Sequence, residues 1–333
     1  MMKTMQLINY EGNSDSFRLV EKEIPEIGDR EVLIKIHLSP INPSDLAYIR
    51  GLYGIKKKLP SAPGFEGGGT VVKAGKESGF SEGDRVSCVA PTKGDGTWSE
   101  YMVVPPENCI RLIDSVSLDE GSMLYVNPMT AYAMFEEGRK KGHTAFVHTA
   151  AASALGKMIH NLGKKFEVPV IHIVRKSEQV EQLKNEGREF VLNSSDEKFQ
   201  KELFKLSKKL NATYCLDAVG GEVASKIFAT LPYGSELVSY GNLSEKQIDV
   251  EPGIFIFQNK KISGFWLSTF LPSLNQEEYK EITRKAQELL PECFRSEIHS
   301  SFTLENVPEA IEYYKKNMSL GKIVIRPSGT PDG

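Results

Sequence analysis

A run of small residues lies between an apolar segment and an amphipathic one. Ala145–Thr149 has the composition of a buried strand, and the segment after it has apolar residues on one helical face. Between them, Ala151, Ser153 and Gly156 have the spacing of a Gly-x-Gly-x-x-Gly turn. Small side chains there let a pyrophosphate approach the free N–H groups of a helix N-terminus. The pattern predicts a dinucleotide site, and a helix-packing turn without a ligand is the alternative.

Two cations follow the next apolar strand. A site that prefers NAD has Asp or Glu at the end of this second strand, where the carboxylate binds the ribose 2′-hydroxyl. Here the strand Pro169–Val174 ends in Arg175, Lys176 and Ser177. Two cations and a hydroxyl suit a 2′-phosphate. We therefore predict NADPH as the cofactor, and a solvated pair of cations is the alternative.

The remaining candidate residues form no second catalytic arrangement. The chain has no Gly-x-Ser-x-Gly motif of a hydrolase. Lys56–Lys58 is interpreted as a solvated loop, with attraction of an acidic substrate group, such as coenzyme A phosphate, as the alternative. The six histidines are scattered and are interpreted as structural; they are His37, His143, His148, His160, His172 and His299.

Composition limits the class of protein. The chain has 333 residues, 40% hydrophobic and 26% charged, which predicts a folded protein of about two domains. Its 41 basic and 44 acidic residues leave a net charge of −3, so nucleic acid is not expected as a partner. The longest uncharged stretches have 15 residues, fewer than the roughly 18 of a membrane span. Four cysteines without a Cys-x-x-Cys pair, and no export signal, predict a cytosolic protein with reduced thiols.

The elements that must position these residues follow two patterns. Up to about residue 120 the chain consists of short apolar or alternating runs separated by turn residues, which predicts a β-rich module. From about Asn127 to Arg295, apolar strands alternate with amphipathic helices, which predicts βαβ units and a parallel sheet. The last forty residues return to strand and turn. Six parallel strands are predicted, centred on Phe146, Ile171, Val191, Leu216, Val238 and Ile262.

Seven short motifs occur along nearly the whole chain. They are Ser39–Leu46, Gly51–Gly54, Pro63–Val72, Gly83–Val86, Gly96–Tyr101, Asn127–Tyr132 and Gly321–Val324. In this order they resemble the motifs of the medium-chain dehydrogenase/reductase superfamily. The resemblance implies an α/β fold in which a doubly wound Rossmann sheet, residues 126–295, is inserted in a GroES-like catalytic domain, residues 1–125 plus 296–333.

The motifs lack the zinc ligands of the zinc-dependent branch. That branch has a cysteine, a histidine and a second cysteine where this chain has Asn42, Phe65 and Asn127. Phenylalanine cannot bind zinc, and asparagine amides are poor ligands for it. We therefore predict that the protein binds no metal. The chain instead resembles the zinc-free branch of NADPH:quinone oxidoreductases and 2-enoyl thioester reductases.

The resemblance also implies roles for single residues. Tyr53 and Asn42 are predicted to act at the substrate carbonyl, although Tyr53 as an aromatic lid and Asn42 as a brace of its loop are alternatives. Phe65, Trp98 and Asn127 are predicted to line the substrate pocket. The residues predicted to bind NADPH are Thr130, Ala151, Ser153, Leu155, Gly156, Arg175, Lys176, Tyr240, Trp266 and Lys322.

The predicted function is a zinc-independent, NADPH-dependent reductase that transfers hydride to a quinone or an α,β-unsaturated carbonyl compound. The alternatives are a 2-enoyl thioester reductase and, from another class, a non-catalytic NADPH-binding structural protein. The resemblance also implies a homodimer joined through the Rossmann domain, because the family commonly pairs the last strand of that sheet across a two-fold axis. Lys261–Ser268 has the composition of an apolar edge strand, which carries unpaired backbone groups. A buried internal strand is the alternative for this segment.

Overall fold

The computed structural model describes residues 1–329, so residues 330–333 of the predicted segment 296–333 lie outside the described residues. The chain divides into two compact units. Unit 1 comprises Met1–Asn127 together with the chain from Arg295 onward, and unit 2 is Pro128–Phe294.

Strands and helices alternate along much of the chain. The strands are β1 (Met2–Leu7), β2 (Phe17–Lys22), β3 (Val32–Pro40), β4 (Glu66–Ala74), β5 (Arg85–Val89), β6 (Tyr101–Val104), β7 (Cys109–Arg111), β8 (Ala145–His148), β9 (Val170–Val174), β10 (Val191–Asn193), β11 (Ala212–Asp217), β12 (Glu236–Ser239), β13 (Lys261–Gly264), β14 (Ile298–Phe302) and β15 (Lys322–Ile325). The helices are α1 (Pro43–Ile49), α2 (Leu118–Ser122), α3 (Asn127–Lys140), α4 (Ala154–Lys165), α5 (Ser177–Asn185), α6 (Phe199–Leu210), α7 (Gly221–Thr230), α8 (Pro252–Gln258), α9 (Leu267–Ser273), α10 (Gln276–Glu288) and α11 (Val307–Asn317).

Unit 1 is built on a seven-stranded sheet with the order β14-β15-β3-β4-β5-β7, in which β6 also pairs with β3. β15 pairs with β3, so the last strand of the chain lies next to the first long one. Gly69 shows why the motif on β4 is rich in glycine. A Cβ there would lie 2.0 Å from the carbonyl oxygen of Lys35, and β4 could not approach β3 as closely.

Unit 2 is built on a six-stranded sheet with the order β10-β9-β8-β11-β12-β13, in which all neighbours are parallel. The six predicted strands and the doubly wound α/β class are confirmed. Chain order reverses between β8 and β11, and in such sheets ligands bind outside the carboxyl ends of the strands at this reversal. Helix α4 follows β8 and buries Met158, Ile159 and Leu162 on one face. The predicted dinucleotide turn therefore lies at the reversal.

In the part of the chain that the structure describes, no helix has the length and apolar character needed to cross a bilayer.

Candidate active site

The predicted dinucleotide turn joins β8 to α4. The Oγ of Ser153 caps α4 by accepting a hydrogen bond of 3.1 Å from the N–H of Gly156. A Cβ at Gly156 would lie 2.3 Å from the carbonyl oxygen of Ala151. The first turn of α4 has no acidic side chain, so nothing in it opposes an anion at the positive end of the helix dipole. The turn has the small residues and the charge that a pyrophosphate requires.

Arg175 and Lys176 directly follow β9 and are exposed. The carbonyl of Arg175 accepts a hydrogen bond of 3.1 Å from the hydroxyl of Ser195, in the loop after β10. Neither cation forms an ion pair with another residue between 1 and 329. Both side chains can therefore accept an added phosphate without first losing a protein partner.

Arg188 supports the turn from inside, and the sequence reasoning missed it. Its side chain is buried, and its Nη1 donates a hydrogen bond of 2.8 Å to the carbonyl oxygen of Ala151. Its Nη2 lies 3.0 Å from a carboxylate oxygen of Glu186. Arg188 lies 37 residues from Ala151 along the chain, so no local pattern signals this contact.

A buried carboxylate lies at the reversal of the sheet and was also missed. Asp217 ends β11, and its Oδ1 accepts a hydrogen bond of 2.7 Å from the hydroxyl of Thr149, which follows β8. Its Oδ2 accepts a bond of 2.8 Å from the N–H of Gly220. Burial raises the pKa of Asp217, and these hydrogen bonds oppose that shift. The signal available in the sequence was an aspartate that ends an apolar strand before two glycines.

Tyr240 follows β12, and its hydroxyl lies 2.7 Å from Nε2 of His148. Burial lowers the pKa of His148 to about 3, so this imidazole is neutral at neutral pH. His172 lies beside His148 in the register of β8 and β9 and is also buried. Both histidines lie in the interior of unit 2, in agreement with the structural role expected for them.

The other residues predicted to bind NADPH differ in their exposure. Thr130 on α3 and Leu155 on α4 are buried, each 8% exposed. Trp266 precedes α9 and is half-buried. Lys322 belongs to unit 1, where its ammonium has other partners.

In unit 1, the motif that begins at Ser39 forms the end of β3 and the start of α1. Asn42 is the N-cap of α1, and Pro43 is the first helical residue. Asp45 closes the cap, because its Oδ2 accepts a hydrogen bond of 2.8 Å from the N–H of Asn42. Its Oδ1 accepts one of 3.1 Å from the N–H of Phe65. A single carboxylate thus ties the start of α1 to the segment before β4.

The side chain of Asn42 lies between two buried charged groups. Its Nδ2 donates a hydrogen bond of 2.8 Å to Oε1 of Glu66, and its Oδ1 accepts one of 2.7 Å from Nζ of Lys322. Glu66 also accepts a bond of 2.7 Å from the N–H of Val126. Burial raises the pKa of the Glu66 carboxyl and lowers that of the Lys322 ammonium, while the mutual attraction of the two charges opposes both shifts.

These contacts bear on two predicted roles. Asn42 is 1% exposed, and both heavy atoms of its amide have protein partners, which favours the brace of the loop over contact with the substrate carbonyl. The ammonium of Lys322, which is 4% exposed, donates to Asn42 and lies 4.0 Å from Glu66, so its partners among residues 1–329 belong to unit 1.

Tyr53 packs on Phe65, with their ring centroids 4.6 Å apart. Phe65 is 9% exposed and Tyr53 is half-buried, so the tyrosine lies on the outer side of this pair. Trp98 corrects another prediction: it is completely buried in a core that includes Leu7 and Ile41, and it cannot line a pocket. Asn127 is half-buried at the start of α3.

The lysine loop Lys56–Lys58 is only partly the solvated face that was expected. Lys56 and Lys58 are exposed, but Lys57 is buried and donates a hydrogen bond of 3.1 Å to the carbonyl oxygen of Gly94. Burial lowers the pKa of Lys57 to about 8. The ammonium of Lys57 therefore has a structural partner.

The sequence matches two family models and several known proteins. The models are the alcohol dehydrogenase GroES-like domain, over residues 28–114, and the zinc-binding dehydrogenase, over residues 154–288. A mitochondrial enoyl-[acyl-carrier-protein] reductase of Caenorhabditis elegans is 30% identical, covering 84% of this chain and 83% of that protein. A solved structure from Mesorhizobium loti, assigned as an NADPH:quinone reductase, is 34% identical over 98% of both chains, with a TM-score of 0.90.

The chain belongs to the medium-chain dehydrogenase/reductase superfamily. Its relatives place it in the zinc-independent branch of this superfamily. The predicted family, the GroES-like and Rossmann folds and the oxidoreductase class are thereby confirmed.

Zinc, which the second family model names, does not fit the residues of this medium-chain reductase. The amide of Asn42 is held by Glu66 and Lys322, and the side chain of Phe65 has no donor atom. Within residues 1–329, no cluster of three His, Cys, Asp or Glu side chains has the geometry to hold a metal ion.

Proposed function

We propose that the protein is an NADPH-dependent, zinc-independent reductase that transfers hydride to a quinone or an α,β-unsaturated carbonyl compound. One observation carries the proposal: unit 1 has the catalytic motif of a medium-chain reductase, but aromatic and amide groups occupy the positions of the zinc ligands. Acceptors of this kind need only a hydrogen-bond donor at the oxygen that gains electron density. The relative from Mesorhizobium loti, assigned as an NADPH:quinone reductase, supports the same reading.

Unit 2 is the NADPH-binding domain in this proposal, and unit 1 is the catalytic domain. The amides at the start of α4, which Ser153 caps, bind the pyrophosphate. Arg175 and Lys176 bind the 2′-phosphate through charge-assisted hydrogen bonds. When bound, NADPH supplies the hydride.

Tyr53 supplies the hydrogen-bond donor in the proposed reaction. Its ring is supported by Phe65, and it is the more exposed member of that pair. The phenol donates to the substrate oxygen as negative charge develops there, and it stabilises the transition state more than the ground state. A carbonyl conjugated to the carbon that accepts hydride is the group that needs this donor.

The second candidate is a 2-enoyl thioester reductase, and a specific observation favours it. Two curated relatives, from Caenorhabditis elegans and from Arabidopsis thaliana, are named mitochondrial enoyl-[acyl-carrier-protein] reductases, and each is 30% identical to this chain. Lys56 and Lys58 are exposed near Tyr53 in the sequence and suit the phosphates of an acyl carrier.

A panel of acceptors tests the proposal and separates the two candidates. NADPH oxidation is followed with a benzoquinone, a naphthoquinone, a free enal and crotonyl-CoA. Turnover of quinones or the enal supports the main proposal, and a kcat/KM at least about tenfold higher for crotonyl-CoA supports the alternative. Failure to oxidise NADPH with every acceptor would contradict both and would favour a non-catalytic NADPH-binding protein.

We also propose a homodimer that forms through β13. This strand is at one end of the parallel sheet and, among residues 1–329, pairs with β12 alone, so one side of its backbone is available to a second copy. Light scattering at micromolar protein distinguishes a dimer from a monomer.

We further propose a cytosolic location, which cell fractionation checks. The curated relatives are named as mitochondrial, and recovery of this protein with mitochondria would contradict the proposal.

A further inference from the structure

Four buried polar side chains in unit 1 form one connected group, which we call the Lys322 cluster: Lys322, Asn42, Glu66 and Asp45. None of the four is more than 4% exposed. Lys322 donates to Asn42 over 2.7 Å and lies 4.0 Å from Glu66, and Asn42 donates to Glu66 over 2.8 Å. Asp45 joins through the backbone N–H of Asn42. Burying such a group costs free energy, because each of its charged and polar side chains is removed from water.

The cluster contains two carboxylates and one ammonium. The titratable groups that face Asp45 are Glu66 on β4, Lys322 on β15 and Tyr314 on α11. Burial and the charge of Glu66 raise the pKa of Asp45 to about 7, and Lys322 acts in the opposite direction. Hydrogen bonds from the backbone N–H groups of Asn42 and Phe65 also oppose the raised pKa of Asp45, and Lys322 is the cation that faces both carboxyl groups.

The cluster also holds the segments that carry the proposed substrate contacts. Asp45 accepts from the N–H of Phe65, on which Tyr53 packs. Glu66 accepts from the N–H of Val126, next to the start of α3. A change in the charge of the cluster would therefore be transmitted to the Tyr53–Phe65 pair through hydrogen bonds already present.

We infer that Lys322 is a positioning residue of the reductase: its ammonium holds Asn42 and Glu66 and so fixes the pair of Tyr53 and Phe65 for catalysis. Asn42 occupies the motif position of a zinc ligand in the zinc-dependent branch. In this chain a lysine cation binds to that residue, so a positive charge is kept without metal. The inference rests on the proposed function only for its kinetic measurement.

Lys322→Met tests the role, with Lys73→Met as the matched control, because Lys73 is exposed on β4 of the same sheet. We expect kcat with the best acceptor to fall about tenfold or more, because small displacements of catalytic groups have effects of this size. The Kd of NADPH, measured by fluorescence, should stay within about twofold. An infrared titration should show the carboxyl band of the cluster, identified by its loss in Asp45→Asn, moving to higher pH. The control should change none of the three.

A second variant separates positioning from simple charge balance. Lys322→Met alone should lower the Tm, because it leaves the buried carboxylate of Glu66 without its cation. Lys322→Met combined with Glu66→Gln leaves no unpaired carboxylate at Glu66, so it should restore the Tm but not kcat. Full recovery of kcat would overturn the inference. A raised Kd of NADPH with an unchanged carboxyl titration would also overturn it, because Lys322 would then be a cofactor ligand. The titration and the Kd can be measured even if no acceptor is turned over. A failure of the proposed function can therefore be distinguished from a failure of the inference about Lys322.

Discussion

Gly156→Ala tests whether the turn before α4 binds the cofactor. A methyl group on Gly156 would lie 2.3 Å from the carbonyl oxygen, 2.6 Å from the carbonyl carbon and 2.8 Å from the Cα of Ala151. All three atoms are backbone, so no side chain can rotate to relieve the contact. Since 3.4 Å is the lower limit of ordinary contact, the turn and the helix must separate by about 1 Å.

This displacement acts on the groups that are proposed to bind the pyrophosphate. The N–H of Gly156 is held by Ser153, and the carbonyl of Ala151 is held by Arg188. A shift of about 1 Å in such a site can weaken its interactions about a hundredfold, equivalent to about 2.7 kcal/mol. We expect a Kd of NADPH raised by about tenfold to a hundredfold, with unit 2 destabilised by about 1–3 kcal/mol through overpacking.

Isothermal titration of NADPH, with thermal unfolding of the same samples, measures both effects. Gly253→Ala is the matched control, because a methyl group there meets only the ring of Phe257, at 3.5 Å, on helix α8 of the same unit. The control should leave the Kd unchanged and the Tm unchanged or slightly higher, since alanine favours a helix. A Gly156→Ala protein that is folded and binds NADPH as tightly as wild type would refute a cofactor role for the turn.

Four further predictions concern other parts of the molecule. Arg175→Ala should raise the Kd of NADPH about tenfold or more, equivalent to about 1.4 kcal/mol, and leave the Kd of NADH unchanged. Calorimetry with both cofactors checks this, and an equal loss of affinity for both would contradict it. Tyr53→Phe should lower kcat and kcat/KM together by about 10² to 10³ with enones and less with quinones, and unchanged turnover of every acceptor would remove Tyr53 from the mechanism. Exhaustive chelation should leave activity unchanged, whereas activity lost to the chelator and restored by zinc would show a metal role. His148 is neutral in the folded protein, with a pKa of about 3, and takes up a proton on unfolding below about pH 6.5, so the free energy of unfolding falls as pH falls. His148→Gln should reduce this dependence on pH by about 1.4 kcal/mol per pH unit between about pH 6 and 4. Denaturant titrations across that range measure the change.

Local patterns were sufficient to predict the architecture of unit 2. Its six strands are apolar runs, and its helices carry apolar residues on one face, so each element is specified within its own stretch of chain. The turn at Ser153 and Gly156 was predictable for the same reason, because a cap and a small residue act within four positions. Arg175 and Lys176 were predictable as the residues that follow a strand.

The side-chain contacts that define the site were not predictable in this way. Arg188 reaches Ala151 across 37 residues, Glu66 reaches Val126 across 60, and Lys322 reaches Asn42 across 280. The contacts of Glu66 and Lys322 depend on how strands pair, here β15 beside β3, and a one-residue change in register would send these two side chains to the other face of the sheet. Trp98 was misassigned for a related reason, since the motif around it does not indicate whether its side chain packs in the core.

Asn42 shows how a motif can identify the right position and still suggest the wrong role. The motif places an amide where the zinc-dependent branch has a ligand, and an amide can donate to a substrate oxygen as well as brace a loop. The choice depends on whether its own hydrogen bonds are already used, because a buried donor without a partner costs about 1–3 kcal/mol. Here Glu66 and Lys322 use them. Asn42 therefore acts through the Lys322 cluster, and the proposed role of Tyr53 at the carbonyl rests on its motif and on its greater exposure beside Phe65.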